Sequence, residues 1–493
     1  MRLSTLVATL DHHRLGPATD PEISAVTHDS RAAGKGTLFA AFPGMKADGR
    51  AFLAEAVSRG AEAALGLAPP PEPLGVPYLA VASPRRAAGL LAARLAGEPA
   101  DKLVLVGITG TSGKTTTTLL LDRLLEGRHA IRGLFGTLVY RGAGAPVAAA
   151  RTTPEATDLQ PMLAALVAGG GTAAVMECSS HALVLERLAG CRFDAAVFLN
   201  LSRDHLDFHE EMEAYFEAKR LLFSMVKPSG AAVIHLGDPF GRRLAESLEG
   251  GRKITFALGA EADVTAEADL TPTGTVLHIS DRISGTEYYV TSPLLGRPNA
   301  ENLLAAAATG SALGFSPAEI APALGSVDRI PGRMEPVPNT RGLTLLVDYA
   351  HKPGALEGAL QTTRSLASSS GGRVVVVFGC GGDRDRGKRP EMGRIAAELA
   401  DVVIVTSDNP RSEPPEAILD EIRRGVPGEA RADVTYDVDR RRAIALALQG
   451  ARPGDVVLIA GKGHETYQET AGKKELFDDR VVAEELLGDA PWT

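Results

Sequence analysis

The feature that most constrains the fold is a glycine-rich stretch, Gly107-Ile-Thr-Gly-Thr-Ser-Gly-Lys-Thr115, directly after a short apolar run. The run at 103–106 suits a buried parallel strand, and a helical pattern begins at Lys114. A strand that enters such a turn and continues into a helix presents backbone N–H groups to phosphate. The stretch therefore predicts a phosphate-binding loop, with Lys114 reaching the phosphates and the Thr115 hydroxyl available to Mg²⁺. Gly107 and Gly113 have five residues between them, one more than the usual spacing.

Apolar runs alternate with helical patterns on both sides of this loop, which is typical of parallel sheets with crossover helices. With 493 residues, and about 150 per domain, the chain has room for about three domains. We predict an α/β protein with an N-terminal α/β domain (1–98), a central parallel-sheet domain (99–331) and a C-terminal Rossmann-like, doubly wound domain (332–493). The short, Thr-rich alternation at about 253–294 predicts a small antiparallel flap in the central domain.

Bulk composition excludes some classes of function. The net charge of −9 argues against a broad basic face for nucleic acid. Three scattered cysteines, Cys178, Cys191 and Cys380, fit neither a disulfide framework nor a zinc module, and we expect them to be buried thiols. No apolar stretch reaches the ~18 residues of a membrane span, and the N-terminus lacks a signal-peptide core. We therefore expect a cytoplasmic protein.

A strand-end carboxylate and a helix lysine are candidates in the central region. Glu177 ends the apolar run 173–176, and ligands bind at the carboxyl edge of parallel sheets, so Glu177 is well placed for a metal. On a predicted helix at 211–223, one turn of the apolar stripe has no apolar residue, and Lys219 lies at that position. Burial there would favour the neutral amine, which can act as a nucleophile or take up CO₂ to give a carbamate metal ligand. Helix geometry alone also allows this lysine to reach the surface.

Polar loops follow several other predicted strands. In the central region, Asn200–His209 gathers Asp and His side chains and fits either a metal site or a hydrogen-bonded turn. In the C-terminal region the loops are Asp348–His351, a glycine-rich loop with four basic residues at 379–389, Asp408–Arg411 and 461–465. Each could be an ordinary turn. Four such loops at the carboxyl edge of one sheet favour a ligand crevice.

Together these motifs resemble the Mur ligase family, the ATP-dependent amino-acid-adding enzymes of peptidoglycan synthesis, over essentially the whole chain. Gly110-Thr-Ser-Gly-Lys-Thr-Thr116 matches the family's phosphate loop, including its unusual glycine spacing. The resemblance implies ATP as co-substrate and Mg²⁺ as cofactor. The catalytic residues that it implies are Lys114, Glu177, His205 and Lys219.

The resemblance also implies the residues of each binding site. The ATP contacts would be Gly110, Thr111, Ser112, Gly113, Lys114, Thr115, Thr116, Asn299, Asn302, Arg333 and Asp348. The Mg²⁺ ligands would be Thr115, Glu177, His205 and Lys219 as a carbamate. The uridine-nucleotide substrate would contact His28, Ser30, Met45, Lys46, Ala47, Arg151, Thr152, Thr153, Ser179, Leu185 and Arg187. Arg151 and Leu185 stand where some relatives have Asn and Gln.

Within the family, the sequence is most similar to the branch that adds the third peptide residue to UDP-N-acetylmuramoyl-L-alanyl-D-glutamate. The resemblance implies a meso-diaminopimelate pocket of Arg384, Asp408, Asn409, Pro410, Arg411, Gly461 and Glu465. The chemistry agrees, because the Arg411 guanidinium suits the extra carboxylate of diaminopimelate and would repel the ammonium of lysine. The implied partners are small molecules, namely the UDP-linked dipeptide, diaminopimelate and ATP, and the implied oligomeric state is a monomer.

Two other functions are compatible with parts of this pattern. Folylpolyglutamate synthase is a related ligase with a similar phosphate loop, but it lacks the uridine-nucleotide domain and the Asp-Asn-Pro-Arg loop. A nucleotide switch or ATPase with a protein-binding C-terminal domain would hydrolyse ATP without an amino acid substrate.

Overall fold

The computed structural model describes residues 1–44, 48–70 and 72–488. Within these ranges the chain forms three α/β units, each with its own sheet, and a separate two-stranded hairpin. No helix in the same ranges is long and apolar enough to cross a bilayer. Three candidate residues, Met45, Lys46 and Ala47, lie outside the described residues, so their role stays a prediction.

The N-terminal unit is a small sheet with helices. Its strands are β1 (His13–Leu15), β2 (Ala25–Thr27), β3 (Thr37–Ala40), β4 (Ala63–Gly66) and β5 (Tyr78–Ala80), and its α-helices are α1 (Leu3–Leu6), α2 (Leu53–Ser58) and α3 (Pro84–Leu95). The described strands follow the order β1-β5-β4-β3-β2, with only the β1–β5 pair antiparallel. Ser83 begins α3 by accepting a hydrogen bond from the Arg86 backbone N–H.

The central unit carries the phosphate loop. Its strands are β6 (Val104–Thr109), β7 (Arg132–Phe135), β8 (Val139–Arg141), β9 (Val147–Ala148), β10 (Ala173–Glu177), β11 (Phe193–Phe198), β12 (Val226–His235), β13 (Arg252–Leu258), β14 (Val264–Thr271), β15 (Gly274–Asp281) and β16 (Thr286–Ser292). Its α-helices are α4 (Lys114–Glu126), α5 (Ala156–Ala168), α6 (Ser180–Val184), α7 (Leu206–His209), α8 (Met212–Arg220), α9 (Pro239–Ser247), α10 (Arg297–Ala312) and α11 (Pro317–Gly325). In the part of the chain described, these strands form one sheet ordered β16-β15-β14-β13-β12-β11-β6-β10-β7-β8-β9.

Two expectations for this unit need correction. The segment predicted as an antiparallel flap at 253–294 begins with β13, which pairs in parallel with both β12 and β14, so the antiparallel part is only β14–β16. Ile254 and Phe256 of β13 are buried in the core that also contains residues of α10. Because alternate residues of β13 are buried, its sequence alternates between apolar and polar residues, as an antiparallel flap strand does. The helix predicted at 211–223 ends at Arg220 and continues as a 3₁₀ turn, Leu221–Met225.

The C-terminal unit is a second parallel sheet. Its strands are β17 (Glu335–Pro336), β18 (Thr344–Asp348), β19 (Val374–Phe378), β20 (Val402–Val405), β21 (Asp433–Tyr436) and β22 (Val456–Ala460), followed by the hairpin β23 (Tyr467–Thr470) and β24 (Lys473–Leu476). Its helices are α12 (Pro353–Ser370), α13 (Lys388–Leu399), α14 (Pro415–Arg423), α15 (Arg440–Gly450) and α16 (Asp479–Gly488). The order is β17-β18-β22-β19-β20-β21 for the described strands, and only β17 is antiparallel. The predicted polar loops therefore leave this sheet from the carboxyl ends of β18, β19, β20 and β22.

Candidate active site

A cavity of about 460 Å³ lies where the central and C-terminal units meet, within the size range of small-molecule sites. The central unit lines it with the phosphate loop, the end of β10 and the first turns of α10. The C-terminal unit contributes Arg333, residues 348–352 and the first turns of α12. The candidate residues that line this cavity are Thr111, Ser112, Gly113, Lys114, Thr115, Thr116, Thr152, Glu177, Ser179, His205, Asn299, Asn302, Arg333 and Asp348.

The phosphate loop is held in shape by its neighbours. Gly113 has φ +84°, and a Cβ there would lie 2.3 Å from Asn302 Oδ1, so glycine is required for two independent reasons. The Ser112 N–H donates to Asn200 Oδ1 at 2.9 Å. Lys114 Nζ folds back and donates to Gly110 O at 2.8 Å, and burial lowers the pKa of Lys114 to about 8. A polyanionic ligand would favour the charged form of this lysine.

Glu177 lies at the end of β10, as predicted, and is almost fully buried. Its Oε1 accepts from Thr115 Oγ1 at 3.1 Å and from the Thr137 N–H at 2.8 Å. Thr137 Oγ1 also donates to Glu177 Oε2, at 3.1 Å. Sequence reasoning missed Thr137, because only the fold brings it to Glu177. The preceding glycine makes this close approach possible, since a Cβ at Gly136 would lie 2.5 Å from Glu177 Oε1.

Lys219 is buried, with about 1% of its surface exposed, which excludes the alternative in which it reaches solvent. Its Nζ donates to Gly110 O at 2.9 Å and lies 4.5 Å from the centre of the Tyr215 ring. Burial, with further contributions from Lys114 and Lys352, holds the pKa of Lys219 well below its usual value. This shift favours the neutral amine over the ammonium.

His205 and Asp204 connect the central unit to the C-terminal unit. His205 Nε2 lies 2.9 Å from Asp204 Oδ2, and Lys352 at the start of α12 forms an ion pair with the same oxygen. Burial lowers the pKa of His205. Burial alone would raise the pKa of Asp204, but the Lys352 ammonium and the contact with His205 hold it far below its usual range. Sequence reasoning included Asp204 in a loop of Asp and His side chains but missed its pairing with Lys352, because that pairing depends on how two domains pack.

The Asp204–Lys352 pair should contribute measurably to stability. Both side chains are more than four-fifths buried, so solvent screens the pair little. We expect a double-mutant cycle of Asp204→Asn and Lys352→Met, followed by urea unfolding, to give a coupling energy of about 1–3 kcal/mol. The exposed pair Arg394–Glu398 on α13 is the control and should give about 0.3–0.5 kcal/mol. Equal coupling energies for the two pairs would contradict the expectation.

The candidate residues for the uridine-nucleotide substrate lie around a buried carboxylate, Glu155, at the boundary of the N-terminal and central units. Glu155 accepts ion pairs from Arg85 of α3 at 2.8 Å, from Arg187 at 2.9 Å and from Arg151 at 3.2 Å. Three guanidinium groups on one carboxylate leave a surplus of positive charge, which suits an anionic ligand. His28 Nδ1 lies 2.7 Å from Thr157 Oγ1 on the neighbouring α5.

The remaining residues of this group connect it to the cavity or have other partners. Thr153 Oγ1 donates to the backbone oxygen of Glu177 at 2.7 Å and accepts from the Ser179 N–H at 3.2 Å. Ser30 Oγ, by contrast, donates to Glu55 Oε2 at 2.9 Å. Leu185 directly follows α6, and its backbone N–H donates to His181 O.

The candidate acceptor pocket is formed by the loops after β20 and β22. Asn409 Nδ2 donates to Glu465 Oε2 at 2.7 Å, and the Gly461 N–H donates to Asp348 O at 3.0 Å. Arg411 has φ +54°, and its Nη1 donates to Gly382 O at 2.8 Å. Tyr349, which lines the nucleotide cavity, places its hydroxyl 3.5 Å from Glu465 Oε1, so the pocket adjoins that cavity.

The glycine-rich loop at 379–389 offers a ligand less charge than its composition indicates. Arg389 is fully buried and pairs with Glu413 and Glu421, and Arg386 also pairs with Glu421. Lys388 Nζ donates to His351 O at 2.8 Å. Arg384 is exposed and, unlike the other three, its side chain has neither an ion pair nor a hydrogen bond to a described residue. Three of the four basic side chains therefore stabilise the loop itself.

A buried ion pair that sequence reasoning missed holds the acceptor loops together. Arg440 of α15 and Asp479 of α16 are fully buried, with Nη2 and Oδ2 2.6 Å apart. The same guanidinium donates to Ser407 O at 3.2 Å and to Ala460 O at 3.0 Å, at the ends of β20 and β22. Because nothing local in the sequence connects the four residues, only the fold reveals this arrangement.

The geometry defines a three-domain, phosphate-loop nucleotide-binding protein in which two C-terminal loops adjoin the nucleotide cavity. Two of the four side chains expected to bind Mg²⁺ lie in contact. Thr115 and Glu177 offer adjacent oxygen donors, which is the donor type that Mg²⁺ prefers. In the described ranges, no group of three or more His, Cys, Asp or Glu side chains could hold a metal ion.

Comparisons with known proteins agree with this class. Three family models match: the Mur ligase family catalytic domain at residues 22–94, the Mur ligase middle domain at 108–310 and the Mur ligase glutamate ligase domain at 332–463. The chain is 46% identical over 497 residues to the UDP-N-acetylmuramoyl-L-alanyl-D-glutamate–2,6-diaminopimelate ligase of Gloeobacter violaceus, covering 99% of this chain and 98% of the relative.

Solved structures of ligases share this fold over most or nearly all of the chain. A structure of a UDP-N-acetylmuramoyl-L-alanyl-D-glutamate–2,6-diaminopimelate ligase matches with a TM-score of 0.69 and 33% identity, covering 99% of this chain and 98% of that one. A folylpolyglutamate synthase of Mycobacterium tuberculosis matches with a TM-score of 0.60 at 20% identity over 83% of this chain and 95% of that one, which shows a shared fold alone. The chain belongs to the Mur ligase family, whose members are ATP-dependent amide-bond-forming ligases.

Proposed function

We propose that this chain adds meso-diaminopimelate to the D-glutamate of UDP-N-acetylmuramoyl-L-alanyl-D-glutamate, with ATP as co-substrate. The observation that carries the proposal is the 46% identity, over nearly the full length, to a ligase named for this reaction. The position of the Asp408–Arg411 loop beside the nucleotide cavity supports it. The proposal includes cytoplasmic peptidoglycan-precursor synthesis, serving cell-wall biogenesis, cell shape and division, by a monomer with domain boundaries at 98/99 and 331/332.

The reaction would proceed through two transfers. The γ-carboxylate of the D-glutamyl residue attacks the γ-phosphorus of ATP, the P–O bond to ADP breaks, and an acyl phosphate forms. The free amine of diaminopimelate then attacks the acyl carbon, so that an amide forms, phosphate leaves and the amine proton passes to solvent. The protein contributes mainly position and charge, because phosphoryl transfer depends on both.

Each wall of the cavity has a distinct role in this scheme. Lys114, at the phosphate loop, balances the charge that develops on the transferred phosphoryl group. Arg333 reaches from the C-terminal unit, with Nη2 3.5 Å from Thr115 Oγ1 and its guanidinium 4.4 Å from the Tyr349 ring centre. Closure of the two units around the substrates would exclude water and protect the acyl phosphate from hydrolysis.

Mg²⁺ is part of the proposal. Thr115 and Glu177 would hold one ion, and His205 with a Lys219 carbamate would hold a second. When bound, Mg²⁺ supplies charge neutralisation to the nucleotide phosphates. The low pKa of Lys219 supports carbamate formation, in which the neutral amine nitrogen bonds to the carbon of CO₂ and releases one proton.

A coupled phosphate-release assay tests the function. With ATP and the UDP-linked dipeptide present, phosphate release should depend on meso-diaminopimelate, and mass spectrometry should detect the UDP-linked tripeptide. Release that proceeds equally well without an amino acid would favour a nucleotide switch or ATPase instead. Release that depends on a folate substrate would favour a folylpolyglutamate synthase.

Replacement of Arg411 should weaken selection of the acceptor. We expect Arg411→Leu to raise the KM for meso-diaminopimelate by about 30-fold, since a lost charge-assisted contact costs about 2 kcal/mol. The KM for ATP should change less than twofold. Arg424→Leu, a substitution beyond the end of α14, is the control. If wild-type protein used lysine as well as diaminopimelate, the assigned role of Arg411 would be wrong.

A further inference from the structure

The loops of the candidate acceptor pocket contain a buried lysine that the sequence motifs did not identify. Lys462 lies in the loop after β22 and is fully buried. Its Nζ donates to Asn409 Oδ1 at 3.2 Å, and it lies 3.8 Å from Asp408 Oδ1 and 3.6 Å from Glu465 Oε2. The Lys462 ammonium group therefore contacts the side chains that are expected to bind the distal end of the acceptor.

The hydrogen bonds of Lys462 and its neighbours fix the orientation of the Asn409 amide. Asn409 Oδ1 accepts from Lys462 Nζ and also from the Glu469 N–H at 2.9 Å. Because both donors point at the same atom, that atom must be the amide oxygen, and the NH₂ group must face Glu465. The 2.7 Å hydrogen bond from Asn409 Nδ2 to Glu465 Oε2 follows from this arrangement.

The charges around Lys462 are nearly balanced. Asp408 and Glu465 face it from the two acceptor loops, and the Arg440–Asp479 pair faces it from α15 and α16. Burial lowers the pKa of Lys462, whereas burial and Asp408 raise the pKa of Glu465. Removal of the ammonium would leave two carboxylates together in a buried site, which favours protonation of one of them.

One carboxylate oxygen in this cluster lacks a hydrogen-bond donor. Asp408 Oδ1 is buried and accepts no hydrogen bond from the described residues, with Lys462 Nζ 3.8 Å away. Buried polar atoms are almost always satisfied, so this oxygen has capacity for a donor from a water molecule or from the substrate. An ammonium group of the acceptor would provide such a donor.

We propose that Lys462 is a positioning residue for acceptor recognition, which holds the Asn409 amide and the Asp408 and Glu465 carboxylates ready for the distal end of an amino acid that carries both an ammonium and a carboxylate there. The proposal rests on the proposed function and deepens it. Lys462 acts through its three partners and need not touch the acceptor.

The test is steady-state ligation by Lys462→Met at several pH values, with meso-diaminopimelate, ATP and the UDP-linked dipeptide varied in turn. We expect the KM for diaminopimelate to rise at least tenfold, while the KM values for ATP and the dipeptide stay within twofold. The acidic limb of kcat/KM for diaminopimelate should move to higher pH, because Glu465 loses a nearby cation and binds a proton more readily. Tyr349 and Arg411, the other ionisable groups near Glu465, are unchanged in this variant.

Two further variants separate charge from folding. Lys462→Arg keeps the cation and should keep the wild-type acidic limb. Lys462→Gln keeps a donor toward Asn409 without the charge, should show the shifted limb, and replaces Lys462→Met if that variant does not fold. An unchanged KM and an unchanged limb in a folded, neutral variant would overturn the proposal. Wild-type protein that fails to ligate diaminopimelate would overturn the proposed function itself, so the two failures are distinct.

Discussion

Lys219→Ala should lower kcat for ligation by a factor of about 1,000 or more, equivalent to about 4 kcal/mol of transition-state stabilisation. The side chain is buried with its Nζ 2.9 Å from Gly110 O, and its low pKa favours the neutral amine that can take up CO₂. Without the lysine, neither the contact to the phosphate loop nor a carbamate can form. The measurement is product formation under saturating substrates.

Two controls make this prediction specific. Arg220→Ala changes the next residue of α8, whose exposed side chain pairs with Glu217, and should leave kcat within twofold of wild type. Short carboxylates added to Lys219→Ala should restore part of the activity if the missing group is a carbamate. Full activity of Lys219→Ala without any addition would show that the carbamate has no role.

Arg440→Leu should lower the free energy of unfolding of the C-terminal unit by about 3–5 kcal/mol, because it leaves Asp479 buried without its partner. The substitution also removes the donors to Ser407 O and Ala460 O, so the loops after β20 and β22 lose their common anchor. Urea unfolding followed by far-UV circular dichroism measures the loss.

The same helix provides the control for this variant. Arg441 is about half exposed and pairs with Glu485, so Arg441→Leu should cost less than about 1 kcal/mol. The double variant Arg440→Leu, Asp479→Leu should recover part of the loss, since it removes the unpaired charge. A loss no larger in Arg440→Leu than in Arg441→Leu would contradict the structural role assigned to this pair.

Local sequence predicted those parts of the site that depend on a strand and the loop after it. The phosphate loop, Glu177 at the end of β10 and the four C-terminal loops follow this rule, because the carboxyl ends of parallel strands meet at one edge. The three cysteines are buried, as expected.

Other parts depend on contacts that no local pattern contains. Glu155 and Lys462 become recognisable only when the fold brings their partners together. The strand β13 was predicted as part of a flap because a strand buried on one face alternates apolar and polar residues both in a central sheet and in an antiparallel flap. The basic loop at 379–389 looked cationic because its carboxylate partners, Glu413 and Glu421, come later in the chain.

The division of the nucleotide cavity between two units has a thermodynamic consequence. A ligand that contacts both walls binds only when the units are in place, so its binding free energy adds to the stability of their interface. At a hundred times its dissociation constant, such a ligand contributes about 2.7 kcal/mol. The midpoint of thermal unfolding of the central and C-terminal units should therefore rise with nucleotide concentration. The substrate thus strengthens the cooperativity between the two units.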